Sequence, residues 1–392
     1  MDICCSLKYL SVAGLPALKR SMKDNPFYPD LLERLPTPPR KIALLRPSRI
    51  GDFLCAVPAI RALRARLPGA QIHMITVPLL QEVAARLPCL DRVWPFPGFP
   101  GLAEQLFDAR SAVDFLQQAQ QEDFDLAIQM QGTGVYSNPF TLLLGARATA
   151  GFIRPGDSPG LLDAALPYPH HVHEIHCVLS LMNFLGAPSA GEELEFPLTQ
   201  TELDEAGRLL AAWPRPWMGL HPSARDQKRR WPLERFASLA AELQSRLGGT
   251  IVLLGDTEAL PGNHLIIQRL NAPCLDLTGK LSLTMLGALI AQISVLVTND
   301  SGPAHIAYAL RARVVTIFGS SSSPQTNGPL QSGPFRLLTP DSTEEAASSL
   351  SGQAAPLDIQ RISVAHVASA VDNLLEQTAR HSHAHRTSKF PG

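Results

Sequence analysis

The sequence predicts an α/β protein made of two doubly wound, Rossmann-like domains. The chain has 392 residues, too many for one ordinary core and suited to two domains of roughly 150–200 residues. Apolar runs rich in β-branched residues alternate with helical patterns in each half, which is typical of parallel sheets covered by helices. A third observation, a strand–turn–helix–strand pattern over residues 293–319, places polar groups at the edge of such a sheet.

This segment reads ISVLVTNDSGPAHIAYALRARVVTIFG. Ser301 suits the cap of the helix, and Gly302 lets a ligand phosphate approach the backbone. Asp300 and the free N–H groups of the helix start then lie at the carboxyl end of a strand, where phosphate-bearing ligands bind in open α/β sheets. His305 lies in the first helical turn, where it either reaches the phosphates or packs in the core.

Residues 1–40 precede the recognisable alternation and end in the Pro-rich LPTPPRK. They form an extra packed helix, a frayed leader or a peripheral membrane contact. We assign residues 41–200 to the first domain, whose clearest strands are 42–45, 71–77 and 125–129. Residues 201–350 form the second domain, with strands at 218–220, 250–254, 274–276, 293–298 and 314–318. A final helix is expected within 351–378, and the His-rich tail 379–392 is predicted to be disordered.

Composition excludes several classes of protein. The formal net charge of −1 argues against a nucleic-acid-binding protein. The six cysteines are scattered without a CxxC pair, which favours a reducing compartment. No apolar run approaches the roughly 20 residues that span a bilayer, and charged residues interrupt the N-terminus, so no signal peptide is predicted. We therefore expect a cytoplasmic protein.

Several motifs are absent or fail. No GxGxxG follows the first strand and no GxSxG elbow is present, which argues against a nicotinamide enzyme and an α/β-hydrolase. The pair Gly279–Lys280 fails the P-loop pattern on both sides. The histidines of HHVHEIH (residues 170–176) have imperfect spacing for a metal site, and no metal is predicted.

Asp52 follows the first strand in PSRIGD. It either stabilises the start of the next helix or acts as a general base at the crevice between the domains. The surrounding stretch is rich in basic residues that suit an anionic acceptor or membrane surface: Arg40, Lys41, Arg46, Arg49, Arg61, Arg64 and Arg66. Within it, Arg46, Arg49 and Gly51 are the predicted acceptor-binding residues.

A basic loop, HPSARDQKRRWP, follows a strand of the second domain. Lys228 either stabilises the negative charge of a leaving diphosphate or belongs to a solvated basic surface, and Ser223 offers a hydroxyl or N–H to phosphate. Glu258, with Asp256 as the competing choice, follows the next strand. An acidic residue there binds ribose hydroxyls in dinucleotide folds or stabilises a helix start.

Three segments resemble the ADP-heptose–lipopolysaccharide heptosyltransferases of glycosyltransferase family 9, in the family's order. They are residues 41–68 (KIALLRPSRIGDFLCAVPAIRALRARLP), 218–255 and TNDSGPAHIAYAL. The resemblance implies the GT-B fold, with two domains facing a central crevice and a final helix that crosses back onto the first domain. It implies that Asp52 is the general base, that Lys228 is the functional lysine, and that Thr278 and Gly279 approach the nucleotide. Two arginines separate Lys228 from the Trp-Pro pair where the family usually has about one residue, so Arg229 shares or replaces its role.

The resemblance also implies an inverting, metal-independent transfer without a cofactor. The donor would be an ADP-sugar, by analogy ADP-heptose, and the acceptor an anionic lipid-linked saccharide of the lipopolysaccharide core at the cytoplasmic face of the inner membrane. No nucleic acid partner is expected. Two alternatives stay open: a GT-B-fold nucleotide-sugar epimerase, and a non-catalytic protein that binds nucleotide sugars.

Overall fold

The computed structural model of the protein describes residues 27–270, 272–342 and 359–387. Its first half is one parallel sheet flanked by helices, in the order β3-β2-β1-β4-β5-β6. The strands are β1 (Lys41–Leu45), β2 (Gln71–Thr76), β3 (Arg92–Pro95), β4 (Leu126–Gln129), β5 (Ala148–Ile153) and β6 (Ala164–Pro167). The helices are α1 (Leu31–Arg34), α2 (Ile50–Arg66), α3 (Gln81–Ala85), α4 (Ala109–Gln121), α5 (Ser137–Leu143) and α6 (Glu174–Phe184).

The second half repeats this arrangement with strand order β12-β11-β10-β7-β8-β9. Its strands are β7 (Trp217–His221), β8 (Thr250–Leu253), β9 (Leu275–Asp276), β10 (Val295–Asn299), β11 (Val314–Ile317) and β12 (Phe335–Leu338). Its helices are α7 (Gln200–Ala211), α8 (Leu233–Leu247), α9 (Leu260–Arg269), α10 (Leu283–Ile290), α11 (Gly302–Ala309), α12 (Pro324–Asn327) and α13 (Val364–Thr387).

Both sheets reverse their strand order at one point. In the first, β1 pairs with β2 on one side and β4 on the other; in the second, β7 and β10 pair with each other at the corresponding place. The connections leaving the two central strands run in opposite directions, which opens a crevice at their carboxyl ends. The loops after β1, β7 and β10 lie at these two points, and they carry most of the predicted site residues.

Two predictions about the ends of the chain need correction. Helix α13 packs against α8 and the second sheet, with Val367, Val371 and Leu374 buried there, so the described structure does not place it on the first domain. It also continues to Thr387, so much of the tail predicted to be disordered is helical. At the other end, α1 buries Leu31 and Leu32 in the first core. The membrane contact considered for residues 1–40 stays a prediction, and residues 1–26 lie outside the described residues.

The two halves meet through α2 of the first and α11 of the second. A Cβ at Gly302 would lie 2.3 Å from Ile50 Cγ2, and a Cβ at Gly51 would lie 2.8 Å from His305 Cδ2. Both distances are shorter than carbon–carbon contact allows. Each glycine therefore permits the two helix starts to touch, and this contact forms the floor of the crevice.

Candidate functional site

A cavity of about 1190 Å³ lies between the two sheets. Its first-domain wall comes from residues 48–52, 77–80 and 103–105, and its second-domain wall from the loops that follow β7, β8 and β10. Charged side chains from both halves line it, including Arg49, Asp52, Arg229, Glu258 and Asp300. A site of this size that is divided between two domains can hold two substrates side by side.

Asp52 lies in the first turn of α2, exposed and facing the cavity. The N-terminal residue that caps this helix is Arg49, not Asp52. Asp52 therefore does not serve as the N-cap, although its charge suits the positive end of the helix. Arg49 and Gly51 also line the cavity, and their contact with an acceptor stays a prediction.

Arg46, predicted to bind the acceptor, is 2% exposed and does not line the cavity. Its guanidinium donates to Met130 O, to Asp52 O and to Glu174 Oε1, the last at 2.6 Å. Burial opposes its charge most strongly, but the negative groups around it, Glu174 first and then Asp52, together outweigh this cost, and the pKa of Arg46 is raised. The prediction that Arg46 binds the acceptor is therefore corrected. Arg46 supports the first turn of α2 from inside the protein and thereby positions Asp52.

The other basic residues of this stretch are largely engaged by the protein. Lys41 pairs with Glu122, Arg61 with Glu193 and Glu195, and Arg64 with Asp91. Among the seven basic residues that suggested an anionic acceptor, Arg49 is the one that lines the cavity.

Asp300 and Arg229 form an ion pair at the second-domain wall. Arg229 Nη1 lies 3.0 Å from Asp300 Oδ2, and the side chains are 32% and 1% exposed, respectively. Asp300 Oδ1 and Arg229 Nε are buried and lack hydrogen-bond partners among the described residues. The Asp300 carboxylate is therefore almost completely shielded from solvent and accepts one strong hydrogen bond, from Arg229. The adjacent cavity could supply further hydrogen-bond donors.

Lys228, predicted to be the catalytic cation, is exposed and does not line the cavity. It sits with Arg229 in a 3-10 turn, Gln227–Arg229, whose N-cap Asp226 accepts from Lys228 N–H at 2.9 Å. Of the three neighbouring cations, Arg229 and Arg230 line the cavity and Lys228 does not. The geometry thus favours Arg229 over Lys228, the alternative that the spacing to Trp231 had left open, and its role stays a prediction.

His305 is largely buried between the halves and borders the cavity. Its Nδ1 lies 3.8 Å from Cys55 Sγ of α2, and its Nε2 lies 4.0 Å from Asp300 Oδ1. Burial lowers the pKa of His305, although Asp300 and Asp52 oppose this effect. His305 therefore packs at the domain contact and also borders the cavity near Asp300, so both predicted alternatives stay open.

Ser301 and Gly302 line the cavity at the start of α11. The Ser301 side chain makes no cap hydrogen bond and donates instead to Asn299 O at 3.1 Å. The close approach that Gly302 allows is to Ile50 of the first domain, an inter-domain role that the sequence did not predict.

Ser223, Glu258 and Asp256 line the cavity, whereas Thr278 and Gly279 do not. The Thr278 hydroxyl is buried, donates to Asp276 Oδ1 at 2.5 Å and accepts from Asn263 Nδ2 at 2.6 Å. Gly279, at φ +69°, packs against Thr257. The burial and internal hydrogen bonds of Thr278 argue against its predicted donor contact, whereas the contact of Gly279, which is exposed, stays a prediction.

His221 and Asn299 were missed by the sequence reasoning. His221 ends β7 and lines the cavity, and burial lowers its pKa to about 4. Asn299 donates to Pro222 O at 2.7 Å and accepts from Trp231 N–H at 3.0 Å, so it fixes both ends of the loop that carries Arg229. A polar residue at the end of each central strand was the available signal.

Two histidines of the HHVHEIH segment make structural contacts. His173 caps α6 and contacts Gly328 O at 2.8 Å, and His176 pairs with Glu192. Within residues 27–270, 272–342 and 359–387, no group of three His, Cys, Asp or Glu side chains is placed to hold a metal ion. None of the helices in that part of the chain has the length and apolarity needed to cross a membrane.

Comparison with known proteins agrees with this geometry. Residues 112–340 match the sequence model of glycosyltransferase family 9 (heptosyltransferase). The chain is 27% identical over 318 residues to lipopolysaccharide heptosyltransferase 2 of Salmonella typhimurium, covering 76% of this chain and 88% of that protein.

Two solved structures share the fold. The family 9 glycosyl transferase from Veillonella parvula superposes with a TM-score of 0.73 at 20% identity, over 86% of this chain and 98% of that one. ADP-heptose lps heptosyltransferase II of E. coli gives a TM-score of 0.70 at 22% identity, over 86% and 99%. The predicted GT-B class, with two doubly wound domains, is confirmed.

Proposed function

The chain belongs to glycosyltransferase family 9, and from this premise we propose that it transfers heptose from ADP-heptose to a saccharide of the lipopolysaccharide core. The proposal draws its substrates from the relatives, which include lipopolysaccharide heptosyltransferase 2 of Salmonella typhimurium. The observation that carries it is the divided cavity, with an exposed carboxylate on the first-domain wall and a buried Arg–Asp pair with a helix start on the second.

The chemistry assigned to this arrangement is a single displacement with inversion. The acceptor hydroxyl oxygen bonds to the anomeric carbon while the bond from that carbon to the diphosphate oxygen breaks. Asp52 takes the hydroxyl proton, because an alcohol is a poor nucleophile until its proton is removed. Its exposure on the cavity wall, on a helix turn braced by Arg46, supports this role.

The leaving diphosphate gains negative charge as the bond breaks. We assign its stabilisation to Arg229 and to the N-terminal N–H groups of α11, because both face the cavity and both carry positive charge or potential. Glu258, or Asp256 beside it, would bind the ribose hydroxyls. Arg49 is placed to meet an anionic acceptor. We propose that no metal or cofactor takes part and that the acceptor is reached at the cytoplasmic face of a membrane.

The test is release of ADP from ADP-heptose by the purified protein, with and without a heptose-bearing lipopolysaccharide core acceptor. A transferase releases ADP only when the acceptor is present and increases the acceptor mass by one heptose residue. Consumption of the nucleotide sugar without acceptor would instead identify an epimerase or hydrolase. Binding of the donor without turnover, across a panel of core acceptors, would identify a binding protein.

A further inference from the structure

The Arg229–Asp300 pair has an unusual balance of partners. The Asp300 carboxylate is almost fully buried, yet one of its oxygens, Oδ1, has no hydrogen bond among the described residues. His305 Nε2 lies 4.0 Å from that oxygen, beyond hydrogen-bond distance. Arg229 is one-third exposed and borders the cavity, so its guanidinium is the member of the pair that an entering anion can reach.

A diphosphate that enters the cavity competes with Asp300 for this guanidinium. When Arg229 turns toward the phosphates, Asp300 loses its one close cation while it stays buried, and an uncompensated buried charge is strongly unfavourable. Hydroxyl groups of a sugar joined to the diphosphate could donate to Asp300 and offset that loss. A free nucleoside diphosphate has no group at that position.

We infer that the Arg229–Asp300 pair makes the site selective for an intact nucleoside diphosphate sugar over the free nucleoside diphosphate. The pair thus disfavours retention of the product nucleotide after transfer. This inference rests on the proposed function for the class of ligand, and it adds a specificity-determining role for the pair. It follows from competition for one guanidinium, whichever base the nucleotide carries.

The experiment measures the Kd of ADP and of ADP-heptose by titration calorimetry without acceptor. Asp300→Asn removes the charge that competes for Arg229 and keeps the side-chain shape. We expect this variant to bind ADP about tenfold more tightly and to lose most of its preference for ADP-heptose over ADP. In Arg229→Gln/Asp300→Asn the gain in ADP affinity should disappear, since no freed guanidinium remains.

The matched control is Glu104→Gln, which removes a carboxylate from the opposite wall of the same cavity. It should change both Kd values by a similar factor of less than about three, because a partly exposed charge on the wall of the other domain acts mainly through a screened field. If Asp300→Asn does not fold, as judged by circular dichroism, the same two Kd values are measured for Arg229→Lys. Its weaker, single-point pairing should reduce the preference for the sugar in the same direction.

Unchanged or weaker ADP binding by folded Asp300→Asn would overturn the inference while leaving the transferase assignment intact. The same holds if Glu104→Gln alters the ADP-heptose to ADP ratio as much as Asp300→Asn does. If the wild-type protein prefers UDP, the comparison is made with UDP and a UDP-sugar, and only the donor assignment is wrong. If it binds neither nucleotides nor nucleotide sugars, the proposed function and the inference both fail.

Discussion

Arg229 and Lys228 are adjacent cations with opposite exposure to the cavity, and this contrast yields a sharp prediction. Arg229→Ala should lower kcat by about 10²–10³-fold, the usual cost of removing one preorganised group that stabilises developing charge. It also leaves Asp300, which is 1% exposed, without its cation. Breaking a buried pair costs about 3–5 kcal/mol, and because Arg229 is one-third exposed we expect the lower end, about 3 kcal/mol in the free energy of unfolding.

Lys228→Ala is the matched control, since it removes a cation one residue away that is exposed and does not line the cavity. We expect a change within about 0.5 kcal/mol in stability and less than about threefold in kcat/KM. Arg229→Lys should restore part of the activity, because an ammonium keeps the charge without the planar fork.

The assays are steady-state ADP release at saturating acceptor and urea denaturation followed by circular dichroism. Equal losses of kcat/KM in Lys228→Ala and Arg229→Ala would refute the reasoning from cavity geometry. A larger loss in Lys228→Ala would return the role to the residue that the family resemblance first suggested.

Four further predictions concern the base, the domain contact, the metal and pH. Asp52→Asn should lower kcat by about 10²–10⁴-fold and leave the Kd of ADP unchanged in calorimetry; near-normal turnover would show that Asp52 acts only on the helix. Gly302→Ala should destabilise the protein by about 1–3 kcal/mol in urea denaturation because its Cβ would meet Ile50 Cγ2 at 2.3 Å, and Ile50→Ala should relieve this loss in the double variant. Turnover should persist after dialysis against EDTA, and complete loss restored by a divalent ion would revive a metal mechanism. Burial depresses the pKa of His221 to about 4, from about 6.5 in the unfolded chain. Because the unfolded state then binds the extra proton, the free energy of unfolding should fall by about 3 kcal/mol as pH drops from 6.5 to 4. His221→Gln should flatten that part of the plot of stability against pH, and an unchanged plot would contradict the assignment.

Local sequence was sufficient for the alternation of strands and helices and for the polar residues at strand ends. The runs that became β1, β7 and β10 are short and largely apolar, and each ends at a turn, so the pattern of the segment itself predicts a buried strand. The same local patterns placed Asp52, Ser223, Glu258, Asp300, Ser301 and Gly302 at the carboxyl edges of two sheets. These six residues all line the cavity.

Tertiary structure alone decided which neighbour faces the site and which polar groups are already satisfied. Lys228 and Arg229 are adjacent and chemically alike, and only the 3-10 turn, fixed by Asp226 and by Asn299 from another strand, turns Arg229 inward. The side chain of Arg46 does not face the site because it is hydrogen-bonded to Glu174. That of Thr278 is likewise hydrogen-bonded to Asn263 and Asp276. Glu174 lies 128 residues from Arg46, and Asn263 lies 15 residues from Thr278 on another element, so a pattern read along one segment contains no information about these contacts. The contact between Gly302 and Ile50 is of the same kind, because it exists only once two separately folded sheets have met.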